Sequence, residues 1–312
     1  MKGIKFLIIL LIILAVAAGG IAYYAGGQVF EGSVQMVTNE TTALQTGYDY
    51  LEAIRFDFSA FRQDYQIERV EIDSTFDEHI IPADYITSGN PNSDTVILVH
   101  GMGGNRVTVY PQAEMFLRNG YNVLTYDQRS SGENTAPYTT FGYWESNDLI
   151  DCIRYIDAQI DENKEIVTWG VSFGGATVGI ALGDMYFNEK VDYAILDCPI
   201  SNMRDMLEMR MEEMDTGIPL DLLLAGGNFV TNSKLKFSYK DTEVVRYAAQ
   251  TTVPTLVINS RIDTVTPFYM GEDIYNALAA EKKIYTAEDI SHGNIHLMAP
   301  AEYEQVVMEF IR

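Results

Sequence analysis

The sequence has almost no cysteine. Its 312 residues contain two, Cys152 and Cys198, with no Cys-x-x-Cys pair and no cysteine–histidine cluster along the chain. That excludes a structural zinc site on ligand count. Both cysteines lie in apolar segments and are expected to be buried thiols, packed as small hydrophobes rather than joined. Histidine is scarce as well, at 79, 100, 292 and 296 only, so any general base has few candidates. Basic residues number 21 against 44 acidic ones, a formal net charge of −23. A field of that sign repels phosphate backbones, so nucleic acid is not an expected partner. There is no internal repeat and no low-complexity tract. Hydrophobic residues make up 47% and charged ones 21%, which is the composition of a folded globular chain. The length suits one large domain with a short appendage.

One long apolar run stands out. Residues 4–24 carry a single charge, Lys5. About 20 such residues cross a hydrocarbon core of roughly 30 Å as a helix. Lys2 and Lys5 precede the run, whereas Glu31 and Glu40 are the first charges after it. This asymmetry predicts an N-terminus in the cytoplasm and the rest of the chain outside, held by a single-pass transmembrane helix. Ala15-Val16-Ala17 supplies the rival reading, a signal peptide cleaved to release the protein. The expected organisation is an anchor over 1–25, a stalk and lead-in helix over 26–65, and a catalytic domain over 66–312.

From about residue 66, strand-like and helix-like segments alternate. The strand-like runs are IERVEI, IIPADYI, TVILVH, YNVLTY, EIVTWG, DYAILD, PTLVIN and KKIYTA. Helical patterns lie at about 107–119, 144–162, 173–187, 268–281 and 300–312. Such alternation predicts an α/β fold with a mostly parallel sheet flanked by helices, preceded by an antiparallel lead-in. The alternation breaks at about 200–250. This Met-rich stretch is expected to be a small helical cap insertion over the sheet's C-terminal edge, where open α/β sheets bind ligands.

Gly170-Val171-Ser172-Phe173-Gly174 follows the strand EIVTWG and opens a helix. A nucleophilic serine must stand clear of a sheet on a very tight strand-to-helix turn, and glycines on either side leave room for it. His100-Gly101-Met102-Gly103-Gly104 follows TVILVH. A tetrahedral intermediate needs backbone N–H donors, and Phe173 and Met102 are placed to supply an oxyanion hole. A serine needs a base, and the base an orienting carboxylate. His292, in Ser291-His292-Gly293 after the last strand, fits better than His296. Asp263, after PTLVIN, completes the chain order Ser, Asp, His. Asp197, at the end of DYAILD, is the rival acid.

With these motifs together and in order, residues 66–312 resemble the α/β-hydrolase superfamily. Within it they resemble a bacterial branch related to prolyl-oligopeptidase-like and bile-acid-thioesterase-like hydrolases. The resemblance rests on ILVHGMGGN, YDQRSSGEN, FGYWESNDL, WGVSFGGAT, NSRIDTVTP and SHG. It implies that Asp127 and Arg129 brace the loops near the nucleophile rather than react. Such proteins usually have Gly-His after that arginine, and here it is Ser130-Ser131. Proteolytic relatives carry an N-terminal propeller for which this chain has no room, so peptidase activity on proteins is not implied.

The expected activity is a serine hydrolase cleaving an ester, thioester or small amide in a small-molecule acyl substrate, with no metal or organic cofactor. Two alternatives remain: acyl transfer from the same acyl-enzyme, and a catalytically silent surface binding protein of the same fold. Epoxide and haloalkane hydrolysis in this fold need an aspartate at the elbow, which Ser172 argues against.

Overall fold

The computed structural model describes residues 9, 19, 20, 22–212 and 217–312. They fall into two compact units, one of Val37–Asn202 with Thr242–Arg312, the other of Met203–Asp241 with the described residues up to Met36.

The larger unit is built on one sheet of eight strands: β1 (Gln66–Asp73), β2 (Ile80–Thr87), β3 (Thr95–Val99), β4 (Asn122–Tyr126), β5 (Ile166–Val171), β6 (Tyr193–Asp197), β7 (Thr255–Ser260) and β8 (Lys282–Ala287). Each falls on one of the strand-like runs. The order is β1-β2-β4-β3-β5-β6-β7-β8. The pairs β1–β2 and β2–β4 are antiparallel and the rest parallel. Strands β3, β4 and β7 are buried at every position. Both faces are covered, which is why these strands read as mostly apolar, β-rich runs rather than alternating ones. The chain goes from β3 to β4 on one side and returns to β5 on the other. This reversal opens a crevice at the C-terminal ends of β3 and β5.

Of the helices, α1 (22–34) belongs to the smaller unit. In the larger unit, α2 (Leu44–Ala53) and α3 (Phe58–Asp64) precede the sheet. They divide the single lead-in helix expected within 26–65. Arg55 turns the chain at φ 60°, and Asp57 caps the second helix by accepting from Ala60 N at 2.9 Å. Leu51 and Phe61 are buried in the core beside Tyr110 and Phe116. The helices α4 (Tyr110–Arg118), α5 (Glu145–Asp157) and α6 (Phe173–Ala181) follow. The helix expected over 173–187 stops at Ala181, and Asp184 caps a new one, α7 (Met185–Lys190), accepting from Tyr186 N and Phe187 N.

The smaller unit contains α1, α8 (Met203–Glu212) and α9 (Leu220–Leu235). The stalk expected from residue 26 is therefore helical through residue 34. Beyond it the chain is pinned to the larger unit. Asn39 Nδ2 donates to the Gly132 and Asn134 carbonyls at 3.0 and 2.7 Å, and Asn105 Nδ2 donates to the Thr42 carbonyl at 3.1 Å. The insertion is also shorter than the 200–250 stretch. Helix α10 (Val244–Ala248) belongs to the larger unit, where Val244 packs against Gly179. The remaining helices are α11 (Phe268–Ala277), α12 (Ile295–Met298) and α13 (Pro300–Phe310). The anchor expected over 1–25 lies for most of its length outside the described residues. Among the described residues, no helix is long and apolar enough to cross a membrane.

Candidate active site

Ser172 stands between β5 and α6 with φ 56° and ψ −113°. This is a strained backbone for a residue with a side chain, and such strain persists only where the surroundings enforce it. Here they do. Ser172 N donates to the Asp197 carbonyl at 2.8 Å, and its own carbonyl accepts from Ala176 N at 3.1 Å. The flanking glycines are required by contact. A Cβ on Gly174 would overlap the Val99 and His100 carbonyls, and one on Gly170 would overlap the Gly174 carbonyl. Gly174→Ala is expected to cost about 1–3 kcal/mol or more, since rigid backbone must move to admit it. Thermal denaturation reads this out, and an unchanged midpoint would show that the elbow is not tightly held.

Three side chains from three loops meet at this turn. His292 Nε2 is 2.9 Å from Ser172 Oγ, and His292 Nδ1 is 2.7 Å from Asp263 Oδ2. An ionised carboxylate only accepts, so Nδ1 carries the ring proton and Nε2 is left to accept from the serine hydroxyl. Asp263 Oδ1 accepts from Val265 N at 2.8 Å and Thr266 N at 2.9 Å. Burial pushes the Asp263 carboxyl upward in pKa. The bonds from His292 and from these two amides outweigh that and hold it below its ordinary value.

Thr266 was not singled out from the sequence. Its Oγ1 lies 3.0 Å from Asp263 Oδ2, 3.1 Å from His292 Nδ1 and 3.0 Å from the Cys198 carbonyl. It ties the acid's loop to the end of β6. A threonine in a loop has no sequence signal for such a role.

The structure does not bring the rival residues into this line. Asp197 is buried, and its Oδ2 accepts from Tyr303 Oη at 2.6 Å, which in turn accepts from Trp169 Nε1 at 2.8 Å. Burial raises the Asp197 carboxyl to a pKa of about 6, against which the Tyr303 bond works only in part. The unfolded chain releases that proton at lower pH, so through this window the folded state binds more protons and loses stability as pH rises. Asp197→Asn removes the penalty. Its stability relative to wild type is expected to improve between pH 4 and pH 8 by on the order of 1–3 kcal/mol. Denaturant titration across that range measures it, and a flat difference would mean the carboxyl ionises normally. His296 packs edge-on against Tyr303 at 5.3 Å, and burial lowers its pKa to about 4.

The loop after β3 lies against the nucleophile. A Cβ on Gly101 would stand 3.6 Å from Ser172 Cβ, and Gly103 takes φ 79°. Met102 sits in this turn. Phe173 is the first residue of α6, so its N–H has no acceptor within the helix. His100 holds the loop from below: its Nε2 accepts from Gln128 N at 3.0 Å and its Nδ1 donates to the Gly101 carbonyl at 2.8 Å. Full burial lowers its pKa to about 4 and keeps it neutral.

Asp127 and Arg129 are both fully buried and distant in role from the serine. Asp127 accepts from the Arg106 side chain, from Arg106 N and from Glu133 N. Arg129 donates to Asp77 at 2.9 Å and to Asp148 at 3.3 Å, and its guanidinium lies 5.4 and 5.3 Å from the ring centres of Phe76 and Trp144. His79 completes this cluster, contacting Asp77 and Asp148. Ser130 takes φ 57°, the left-handed backbone that favours glycine, and its Oγ donates to the Ala136 carbonyl at 2.7 Å.

Both cysteines are free and buried. Cys198, Asp263 and His292 bring ligand-type atoms within 4.8 Å of one another. Two of the three are bonded to each other in the serine–histidine–aspartate line, and burial raises the thiol well above its ordinary pKa.

A family model for the alpha/beta hydrolase fold matches residues 94–246. A solved esterase from Pyrococcus furiosus superposes with a TM-score of 0.64, covering 79% of this chain and 92% of that one at 23% identity. The chain has the α/β-hydrolase fold. Uncharacterized protein YqkD of Bacillus subtilis (strain 168) is 28% identical over 235 residues, 75% of this chain and 73% of that protein. The lysophosphatidylserine lipase ABHD12 of Xenopus tropicalis is 22% identical over 238 residues, 69% of this chain and 57% of that lipase.

Proposed function

We propose that this protein is a serine hydrolase that cleaves an ester, thioester or small amide through an acyl-enzyme on Ser172. The observation that carries the reading is the hydrogen-bonded line from Ser172 through His292 to Asp263 at a strained strand-to-helix turn. Ser172 Oγ attacks the carbonyl carbon while His292 Nε2 takes its proton. Asp263 holds the imidazolium that forms. The oxyanion of the tetrahedral intermediate is stabilised by the N–H groups of Phe173 and Met102. The intermediate collapses, and the leaving alcohol, thiol or amine departs with the proton from His292. Water then adds to the acyl-enzyme, giving its proton to His292, and the free acid is released as that proton returns to Ser172. These steps need no metal or organic cofactor.

The sequence motifs favour a relation to the prolyl-oligopeptidase-like and bile-acid-thioesterase-like hydrolases. The apolar run at 4–24 and the charges around it favour attachment to a cell membrane by that segment, with the catalytic unit outside the cytoplasm. A fluorophosphonate probe tests the chemistry, because it reacts with an activated serine and spares a resting one. Labelling is expected on the full chain, restricted to Ser172. A folded protein that takes no label would refute the assignment.

A further inference from the structure

Helices α1 and α9 of the smaller unit meet backbone to backbone. A Cβ on Gly26 would overlap the Gly226 backbone, and one on Gly226 would stand 3.0 Å from the Ala22 carbonyl oxygen. A Cβ on Gly227 would crowd Val29, and Lys234 Nζ lies 4.5 Å from the centre of the Phe30 ring. Contacts advance from 22 and 26 to 30 along α1 as they advance from 226 to 234 along α9, so the two helices run parallel. Small residues spaced like Ala22 and Gly26, set against Gly226 and Gly227, are the means by which helices pair where lipid surrounds them.

The outer face of α9 is consistent with that setting. Leu222 and Phe229 are 52% and 63% exposed, and Ala225 between them is exposed as well. Their spacing of three and four residues puts them on one stripe. The sequence between Asp221 and Lys234 carries no charged residue. A helix facing water would present charge there. Tyr23 and Tyr24 of α1 are also exposed. Upstream, residues 6–22 are uncharged, and the parallel arrangement puts the start of α9 toward the same end as the start of α1.

We propose that α9 lies in the interface of a lipid bilayer beside α1, with Leu222, Ala225 and Phe229 at the boundary between headgroups and acyl chains. The insertion is then a second membrane contact next to the N-terminal one. This rests on the membrane attachment argued above. It adds what attachment alone does not imply: that a segment some two hundred residues downstream is also in lipid.

The test uses the full chain in phosphatidylcholine vesicles, which lack the anionic charge that would repel this acidic protein. An environment-sensitive NBD label is placed on Phe229→Cys and, as a control on the larger unit, on Met185→Cys, where the native side chain is 89% exposed. Cys152 and Cys198 are buried and stay unlabelled. The expected result is blue-shifted emission at 229 that is largely lost with nitroxide-bearing acyl chains in the vesicle, and water-like, unquenched emission at 185. Leu222→Cys repeats the reading should the first variant misfold. A carbonate wash reports attachment separately. A chain that resists the wash while its 229 label emits as in water overturns the docking and leaves the anchor standing. A chain that washes off overturns both. Emission that is blue-shifted but not quenched by lipid means a second copy of the chain covers the stripe, which also overturns the proposal.

Discussion

Ser172→Ala is expected to lower turnover of a p-nitrophenyl ester by on the order of a million-fold, without unfolding the protein. The size follows from the chemistry. Without Oγ there is no acyl-enzyme, and what remains is the contribution of the oxyanion donors and binding, roughly 10³–10⁴ over water. The fold should tolerate the change because the bonds that hold the turn are made by backbone. Ser172 N to the Asp197 carbonyl and the Ser172 carbonyl to Ala176 N do not involve the side chain. The measurement is kcat beside a thermal midpoint. Turnover within tenfold of wild type, with a normal midpoint, would remove Ser172 from the mechanism.

Asp263→Asn is expected to lower kcat by about 10⁴ with a smaller effect on KM. In the proposed mechanism the carboxylate fixes the proton on His292 Nδ1 and favours the imidazolium that forms as the serine attacks. An amide cannot do both, since it carries no charge and, with its oxygen held by Val265 N and Thr266 N, turns an NH2 donor toward His292 Nδ1. The local geometry sharpens the expectation: Oδ1 is occupied by Val265 N and Thr266 N, so Oδ2 alone serves His292. Asp197→Asn is the matched comparison. Its carboxyl serves Tyr303, so turnover should stay within about tenfold of wild type. The two variants reversing in severity would identify Asp197 as the orienting acid and make the Asp263 contact incidental.

The strands were legible because their surroundings are uniform. Strands β3, β4 and β7, covered on both faces, favour apolar and β-branched side chains, and that constraint survives in the sequence as short β-rich runs. Helix boundaries were less so. The break at Asp184 depends on a carboxylate that could equally have faced solvent from a continuous helix, and the break at Arg55 on a single residue of positive φ. Neither leaves a periodicity to read. The stalk was misjudged because small polar residues suggest a linker, whereas Gly26 is small to admit another helix.

By itself the sequence determined the alternating α/β pattern, the serine on its glycine-flanked turn, and a histidine after the last strand. These depend on local steric need and on position along the chain. Only the tertiary structure decided between Asp263 and Asp197, or between His292 and His296. Each pair offers the same chemistry at a loop or strand end, and its members differ only in reach: His292 lies against Ser172 Oγ, and Asp263 against His292 Nδ1. The same holds for Thr266 and for the pairing of α1 with α9. In both, residues far apart in the chain act through contacts that only the folded backbone creates.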